Sequence, residues 1–205
     1  YRRIVINGKF LSQSITGVQR YAREMLAELD KLLDGSVEVI LAAASGARDI
    51  PEYRNIRVQR VGKLHGSLWE QLSLPRYVRR NKALCVNLCN IAPILTPHVV
   101  VVHDVSFRVN KQFFSRKFAL WYGFVFALII RRIKRVVTVS QFSRSEISRE
   151  YRLNAEDIAV TYNGWQHFGR IEQDEDALRK YGLQRGKYCF AMSSMAKNKN
   201  FRWIA

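Results

Sequence analysis

The sequence is poor in residues that cross-link or interrupt a chain, since its 205 residues include only 3 Cys and 4 Pro. Cysteines this few and this irregularly spaced exclude a disulfide framework and a cysteine-based zinc site. We expect Cys85 and Cys89 to lie on one face of a strand, as small buried hydrophobic residues. A reducing cytoplasm is therefore the expected compartment.

Long apolar runs are also missing. The longest, residues 118–130, has about 13 residues, whereas a membrane-spanning helix needs about 20. The N-terminus enters a strand directly and lacks the apolar core of a signal peptide. We expect the run in a helix over residues 113–135, packed between the sheet and another element. The alternative is that its basic C-terminal flank, RRIKR, accompanies a side that faces lipid.

Acidic residues are scarce, because 17 Asp and Glu stand against 34 Lys and Arg, which gives a formal net charge of +17. Such an excess attracts the phosphates of nucleic acids, anionic membranes or small molecules. The basic and aromatic motifs of common RNA-binding modules are absent, so no nucleic-acid partner is expected. Hydrophobic content of 48% and charged content of 25% are otherwise typical of a globular protein.

A run of valines, residues 99–102, leads directly into His103 and Asp104. An unbroken β-branched run is typical of a parallel strand that is buried on both faces. Ligands of open α/β sheets bind beyond the carboxyl ends of such strands, which makes His103 and Asp104 candidate site residues. A histidine at a strand end is also commonly a structural hydrogen-bonding group, and both interpretations stay open.

Strands alternate with helices along the rest of the chain. This alternation predicts an α/β fold with a Rossmann-like, doubly wound parallel sheet. Further strands are predicted over residues 3–7, 37–43, 56–61, 84–88, 135–140 and 158–162. Further helices are predicted over residues 16–33, 68–80 (interrupted near Pro75) and 141–151. Residues 1–185 form the predicted domain, and residues 186–205 are expected to open a second domain with a strand over 188–192.

Two helix starts carry polar or small residues. Thr16 is the predicted N-cap of the first helix, and Gly17 at its entry fits a phosphate-cradling loop, where backbone N–H groups and the helix dipole favour an anion. A glycine that is simply tolerated at a helix start explains Gly17 as well. Ser140 or Ser143 is expected to cap the helix over residues 141–151.

The motifs together resemble the retaining, nucleotide-sugar-dependent glycosyltransferases of family four, which have two Rossmann-like domains around a cleft. The matching stretches are GKFLSQSITGVQRYAREML (8–26), LWEQLSLP (68–75), VVVHDVSF (100–107), VVTVSQFSRSEI (136–147), VTYNG (160–164) and SSMAKNKNF (193–201). They occur in the family's order, and they cover the N-terminal domain and the start of the C-terminal one.

The resemblance implies roles for single residues. Gly17 matches the glycine whose backbone approaches the donor diphosphate, and Lys199 matches the lysine that binds the leaving diphosphate. His103 matches the histidine that reaches the donor sugar, and Asp104 would orient it.

Other positions have a weaker claim to contact the cleft. Thr16, Ser140 and Asn163 match positions near it. Ser194 and Lys197 depart from the family pattern, because many members have arginine and proline at these two positions. The family's acidic motif, which holds the donor's sugar and ribose, would lie beyond Ala205.

The implied activity is metal-independent transfer of a sugar, with retention, from a nucleotide-sugar donor to a lipid-linked or polysaccharide acceptor in cell-surface glycan biosynthesis. No cofactor and no metal are expected, and the acidic residues 174–176 are better explained as favourable charges at a helix start. The expected location is cytoplasmic, at the inner face of the plasma membrane. The alternative function is a non-catalytic basic α/β module that binds anionic membrane or phosphorylated ligands.

Overall fold

A computed structural model describes residues 1–172, 174, 176–192 and 199–203. In this part of the chain seven strands form one fully parallel sheet in the order β3-β2-β1-β4-β5-β6-β7. The strands are β1 Arg3–Asn7, β2 Glu38–Ala43, β3 Ile56–Arg60, β4 Leu84–Asn87, β5 His98–Val102, β6 Ile133–Thr138 and β7 Ile158–Val160. The predicted Rossmann-like α/β sheet is confirmed.

The α-helices alternate with the strands along most of the chain. They are α1 Gly17–Leu32, α2 Gly66–Leu68, α3 Leu74–Arg80, α4 Ser106–Val109, α5 Arg116–Ile130, α6 Gln141–Tyr151 and α7 Ala177–Lys180. The bounds of α6 are those predicted from the sequence. Helix α5 is shorter than predicted, because the chain turns after Ile130 and enters β6 at Ile133, the register partner of His98.

Both faces of the sheet are covered, as the apolar character of its strands requires. Helix α1 covers one face, where Leu26 packs with Ile6 and Leu41. Helices α3, α5 and α6 cover the opposite face, where alternate strand residues such as Val5 and Val100 point. The sheet therefore forms the middle layer of a three-layer sandwich. The loops that follow the strands lie along its carboxyl edge.

Strand order reverses between β1 and β4. The chain leaves β1 for β2 on one side, whereas β4 lies on the other side and continues toward β7. The loops after β1 and β4 diverge at this point, which opens a crevice at the carboxyl ends of the strands. Gly8 begins the loop after β1, and a Cβ there would lie 2.4 Å from the Ala42 carbonyl oxygen, so only glycine fits.

The helix before β4 accommodates Pro75 by a wide turn. Between α2 and α3 the backbone of Trp69–Ser73 is π-helical, and the N–H of Leu74 bonds to the carbonyl of Trp69. Proline lacks an N–H and its ring crowds the carbonyl four residues earlier, so a wider turn just before it relieves the clash. The interruption predicted near Pro75 is confirmed, and it takes the form of a π-helical turn that ends at Ser73.

Helix α5 is buried on one side only, which corrects the expectation that it lies between the sheet and another element. Val125, Phe126 and Ile129 are buried against the sheet. Leu120, Trp121 and Phe124 on the helix are 60–75% exposed, because no described element packs over them. No helix in the described part of the chain is long and apolar enough to cross a membrane.

The prediction for the cysteines is wrong in one respect. Cys85 lies in β4, in the core on the α3 side, whereas Cys89 follows the strand and packs on the α1 side. They do not share a face, because β4 ends at Asn87 and the strand alternation ends with it. Burial raises the pKa of both thiols to about 12, so both stay protonated as expected of packing residues.

The strand predicted over residues 188–192 is not formed. These residues have no regular secondary structure, and Phe190 and Met192 are largely exposed. A strand needs a neighbour to satisfy its N–H and C=O groups, and no described strand adjoins this segment. The division into domains at residues 185 and 186 stays a prediction.

Candidate functional site

His103 follows β5 at the carboxyl edge of the sheet and is held from several sides. Its Nε2 lies 2.9 Å from the Leu88 carbonyl oxygen, so Nε2 carries the proton and donates. Its backbone N–H donates to Asn90 Oδ1 at 2.7 Å, and the Tyr21 ring meets the imidazole edge-on at 4.9 Å. The imidazole is thereby fixed in one orientation and one tautomer.

The electrostatic setting favours the neutral imidazole. Burial lowers the pKa of His103, and the hydrogen bond to the Leu88 carbonyl and the charge of Asp104 oppose this only in part. Asp104 itself is exposed, and its Oδ1 accepts a hydrogen bond from the Ser106 N–H at 2.9 Å. The contacts of His103 with Leu88 and Tyr21, rather than one with Asp104, orient the ring.

Ser140 caps helix α6, in agreement with one of the two predicted caps. Its Oγ accepts a hydrogen bond from the Ser143 N–H at 3.0 Å. Ser143 Oγ in turn donates to the His103 carbonyl oxygen at 2.9 Å. The two serines therefore connect the start of α6 to the backbone of His103.

Gly17 is the first residue of α1, and the space beside it is open. A Cβ at Gly17 would meet no atom of the described residues within 4 Å. Thr16 precedes it as the predicted N-cap, and both its backbone N–H and its hydroxyl donate to Gln19 Oε1. In the part of the chain that the structure describes, neither packing nor backbone strain requires glycine at position 17.

A cleft of about 540 Å³ lies between α1 and the loop after β7, and we call it the α1 cleft. Gly17, Arg20 and Tyr21 line it from the helix, and Asn163 lines it from the loop. A hydrogen bond of 2.6 Å between the hydroxyls of Tyr21 and Thr161 holds the loop against the helix. The structure thus brings Gly17 and Asn163 to one cleft, while Tyr21 joins that cleft to His103.

A second, smaller cavity lies at the switch point between β1 and β4, and we call it the switch-point cavity. It measures about 180 Å³, and its lining includes Asn7, Lys9, Gln13, Thr16, Glu70 and Asn90. Glu70 is only 2% exposed. Its Oε1 accepts from Asn7 Nδ2 at 2.9 Å, and its Oε2 pairs with Lys9 Nζ at 2.7 Å.

Of the residues that form this buried network, none is predicted as a site residue from the sequence. The available signal is weak: Glu70 lies in the stretch LWEQLSLP, where a carboxylate reads as part of a solvent-exposed helix face. Asn7 reads as the polar end of a strand. Asn7 and Glu70 are 63 residues apart in sequence, and only their contact in the fold shows that they belong to one network.

Lys199 is exposed, next to the short 3₁₀ segment Phe201–Trp203, and no described contact joins it to Gly17 or His103. Ser194 and Lys197 lie outside the described residues. Among the described residues, no group of three or more His, Cys, Asp or Glu side chains is arranged to hold a metal ion.

The sheet topology and the cavities at its edge identify the fold class of the protein. A doubly wound parallel sheet, with an open helix N-terminus and cavities along its carboxyl edge, defines a Rossmann-like domain, a class whose members bind ligands at that edge. The model of the family Glycosyltransferase Family 4 matches residues 15–166, which include Gly17, His103, Ser140 and Asn163. The chain belongs to Glycosyltransferase Family 4.

A curated relative agrees with this assignment. The chain is 24% identical over 186 residues to the "O-antigen chain mannosyltransferase RfbU" of Salmonella typhimurium (strain LT2). The alignment covers 84% of this chain and 52% of the relative. The chain therefore spans about half the length of this relative.

Proposed function

We propose that this chain is the acceptor-side half of a retaining glycosyltransferase. The enzyme moves a sugar from a nucleoside diphosphate to a lipid-linked or polysaccharide acceptor in cell-surface glycan biosynthesis. Membership of Glycosyltransferase Family 4 and the likeness to an O-antigen mannosyltransferase support this assignment. The observation that carries it is the open space at Gly17, on a helix N-terminus that contacts His103 through Tyr21.

Gly17 would serve as the approach point for the donor diphosphate. The first N–H groups of α1 lack partners within the helix and point, with the positive end of the helix dipole, out of its N-terminus. A side chain at position 17 would occupy the space in front of them. Since no described residue fills this space, the absence of a Cβ makes room for a phosphate.

In the proposed reaction a sugar cation separates from a diphosphate anion. The N–H groups at the start of α1 and the ammonium of Lys199 stabilise that anion, and fixed groups of this kind need no metal ion for the task. His103, neutral and with Nε2 engaged, presents Nδ1 as a hydrogen-bond acceptor for a donor-sugar hydroxyl. It acts as a positioning group, and Asp104 contributes charge beside it.

The activity is tested in a protein that carries the predicted second domain. It is incubated with GDP-, UDP- and dTDP-sugars and a lipid-linked or polysaccharide acceptor, with and without EDTA, and release of the nucleoside diphosphate is measured. We expect release from one nucleotide class, unchanged by EDTA, and an α-linked product from an α-linked donor by NMR. Release from none of the donors, or an inverted product, would contradict the proposal.

A substitution of Gly17 separates the donor role from folding. Gly17→Ala places a methyl group in open space and removes backbone freedom from the unfolded chain, so stability should stay equal or rise by about 0.5 kcal/mol. We expect the donor KM to rise at least tenfold. Gly123→Ala is the matched control, because a Cβ there also meets no atom within 4 Å, on the distant helix α5. Equal donor KM values for both variants would remove Gly17 from the site.

We also propose that the exposed face of α5 binds anionic membrane at the inner face of the plasma membrane. Trp121, Phe124 and Leu120 are exposed on this helix, and exposed Arg116 and Lys117 precede them. An apolar face with basic flanks suits the boundary between headgroups and acyl chains. The net charge of +17 adds long-range attraction to anionic lipid.

Vesicle sedimentation tests this surface. We expect the chain to bind vesicles of phosphatidylglycerol and phosphatidylcholine, but not of phosphatidylcholine alone. Trp121→Ser should weaken the binding several-fold, whereas the control Trp203→Ser, at another exposed tryptophan, should not. Equal binding to both kinds of vesicle, or equal loss in both variants, would contradict a membrane role for α5.

A further inference from the structure

We propose that the switch-point cavity is a subsite for a neutral sugar ring of the acceptor, and that Glu70 is a positioning residue that holds Lys9 toward it. This inference rests on the proposed function, since it concerns the second substrate of the same reaction. It starts from the ion pair that Glu70 and Lys9 form across 61 residues of sequence.

Glu70 is held more tightly than a surface carboxylate. The π-helical turn Trp69–Ser73 carries it, and Trp69 is anchored beside it by a hydrogen bond of 2.6 Å from Nε1 to the Val61 carbonyl. Asn7 takes one carboxylate oxygen and Lys9 takes the other. A carboxylate fixed in this way cannot turn into the cavity, so its effect on a ligand passes through its partners.

Lys9 is the partner that reaches the cavity with unused capacity. Its ammonium has three N–H donors, and the described residues provide one acceptor, Glu70. Its side chain is 21% exposed, so it borders both the buried network and the open space. The ion pair therefore aims two further donors at a ligand.

Two amide side chains add to this set. Asn90 has a left-handed backbone with φ of 52°, and its Oδ1 is taken by the His103 N–H, which leaves its NH₂ group for the cavity. Gln13 Oε1 accepts from Gln19, so its NH₂ group is also unused among the described contacts. Asn90 lines the cavity and bonds to His103, which places the cavity next to the proposed transfer site.

The charge of the cavity decides which ligand fits. Its charged lining residues are Lys9 and Glu70, which neutralise each other at 2.7 Å. No described side chain of the lining offers a cation without a counter-charge, and the first turn of α1, which borders the cavity at Thr16, Val18 and Gln19, is assigned above to the donor diphosphate. Several N–H donors around a neutral cavity suit the hydroxyl and ring oxygens of a sugar. The lining therefore favours a neutral sugar over a second phosphate.

The test uses binding and turnover in the protein that carries the second domain. The probes are the methyl glycosides of mannose, glucose, galactose and rhamnose. Their binding is measured by saturation-transfer NMR, and inorganic phosphate serves as the anionic competitor. We expect at least one glycoside to bind the wild type and to resist displacement by phosphate. Binding of none of the four, or displacement by phosphate, overturns the inference.

Variants of the ion pair show whether Glu70 acts through Lys9. Glu70→Gln should weaken glycoside binding at least tenfold, and adding Lys9→Met to it should weaken binding no further, because one interaction is lost in both. Arg149→Met with Glu146→Gln removes an ion pair of 2.7 Å on α6 and is the matched control. Unchanged glycoside binding in the double variant of Lys9 and Glu70 overturns the inference.

Measuring hydrolysis of the donor distinguishes an effect on this subsite from an effect on the donor site. Slow hydrolysis of the nucleotide sugar by water needs no acceptor sugar, so the Glu70 variants should retain its rate and its donor KM. If hydrolysis falls with glycoside binding, Glu70 is merely structural and the inference fails. If the wild type hydrolyses no donor, the proposed function fails instead.

Gln13→Ala keeps the test decisive if the Glu70 variants do not fold. Gln13 is exposed and outside the ion pair, so its loss should leave folding intact. We expect it to weaken glycoside binding several-fold with donor hydrolysis unchanged. Unchanged glycoside binding in this variant counts against the subsite.

Discussion

Two buried histidines lie at opposite ends of β5, and their surroundings differ in kind. His98 begins the strand at the amino edge of the sheet and is 0% exposed. Its Nδ1 donates to the carbonyl of Thr96, only two residues away, at 2.6 Å, and its buried Nε2 has no hydrogen-bond partner among the described residues. His103 directly follows the last strand residue, Val102, and is held by Leu88, Asn90 and Tyr21 from other parts of the chain.

The comparison teaches that burial of a histidine does not mark a site. Burial lowers the pKa of both rings, so titration does not distinguish them. What separates them is the edge of the sheet, because the loops that form ligand crevices follow the carboxyl ends of parallel strands. We infer that His98 is a packing residue, and we propose that His103 is part of the transfer site.

The largest expected effect is on stability, at His98. His98→Ala should cost about 3 kcal/mol of unfolding free energy, because it leaves a cavity in a fully buried position and removes the bond to Thr96. Urea unfolding followed by circular dichroism measures it. The exposed His65 is the control, and His65→Ala should change stability by less than about 0.5 kcal/mol. A cost at His98 no larger than at His65 would break the comparison.

The next effect is on turnover, at His103. His103→Gln keeps an N–H donor for the Leu88 carbonyl but loses the ring, so the domain should stay folded. Turnover in the protein with the second domain should fall at least tenfold, which corresponds to about 1.4 kcal/mol in the activation barrier. His98→Leu is the control that should retain turnover. Normal turnover with glutamine at position 103 would make both histidines structural.

Acid should weaken the fold through both histidines. Their folded pKa values are lowered, so the stability that they contribute is complete above the ordinary histidine pKa of about 6.5 and is lost as the pH falls below it. The loss approaches about 1.4 kcal/mol per pH unit for each ring.

Unfolding free energies measured from about pH 7 to about pH 5 check this expectation, since they bracket the ordinary histidine pKa. His98→Leu should show a shallower decline than the wild type, because it has no group at that position to protonate. Identical slopes for the two proteins would show that His98 is not kept neutral by the fold.

The smallest effect concerns the support of His103 from α6. Ser143→Ala removes the hydrogen bond to the His103 carbonyl and should cost about 1 kcal/mol of unfolding free energy. The exposed Ser145 on the same helix is the control, and Ser145→Ala should be close to neutral. If Ser143→Ala and Ser145→Ala lower the unfolding free energy equally, the hydrogen bond from α6 to His103 does not stabilise the fold.

Much of the architecture could be predicted from the sequence. The valine run before His103, the helix start at Gly17 and the helix after Ser140 are local patterns, and each lies where the structure has it. Predictions failed where a partner was needed: residues 188–192 have a strand-like composition, but no strand in the described part of the chain pairs with them. The prediction that α5 is buried on both sides was wrong for the same reason. The apolar character of a residue does not identify the element that will pack against it.

The sequence by itself determined most of the strands and helices of the sheet, because their patterns depend on neighbours within a few residues. Only the tertiary structure decided what the polar residues do. Glu70 looks like part of a solvent-exposed helix face, yet the reversal of strand order at β1 and β4 buries it against Asn7, 63 residues away. His98 and His103 likewise differ in the edge of the sheet that each occupies: His98 bonds locally to Thr96, whereas His103 is held by Leu88, Asn90 and Tyr21 from other parts of the chain.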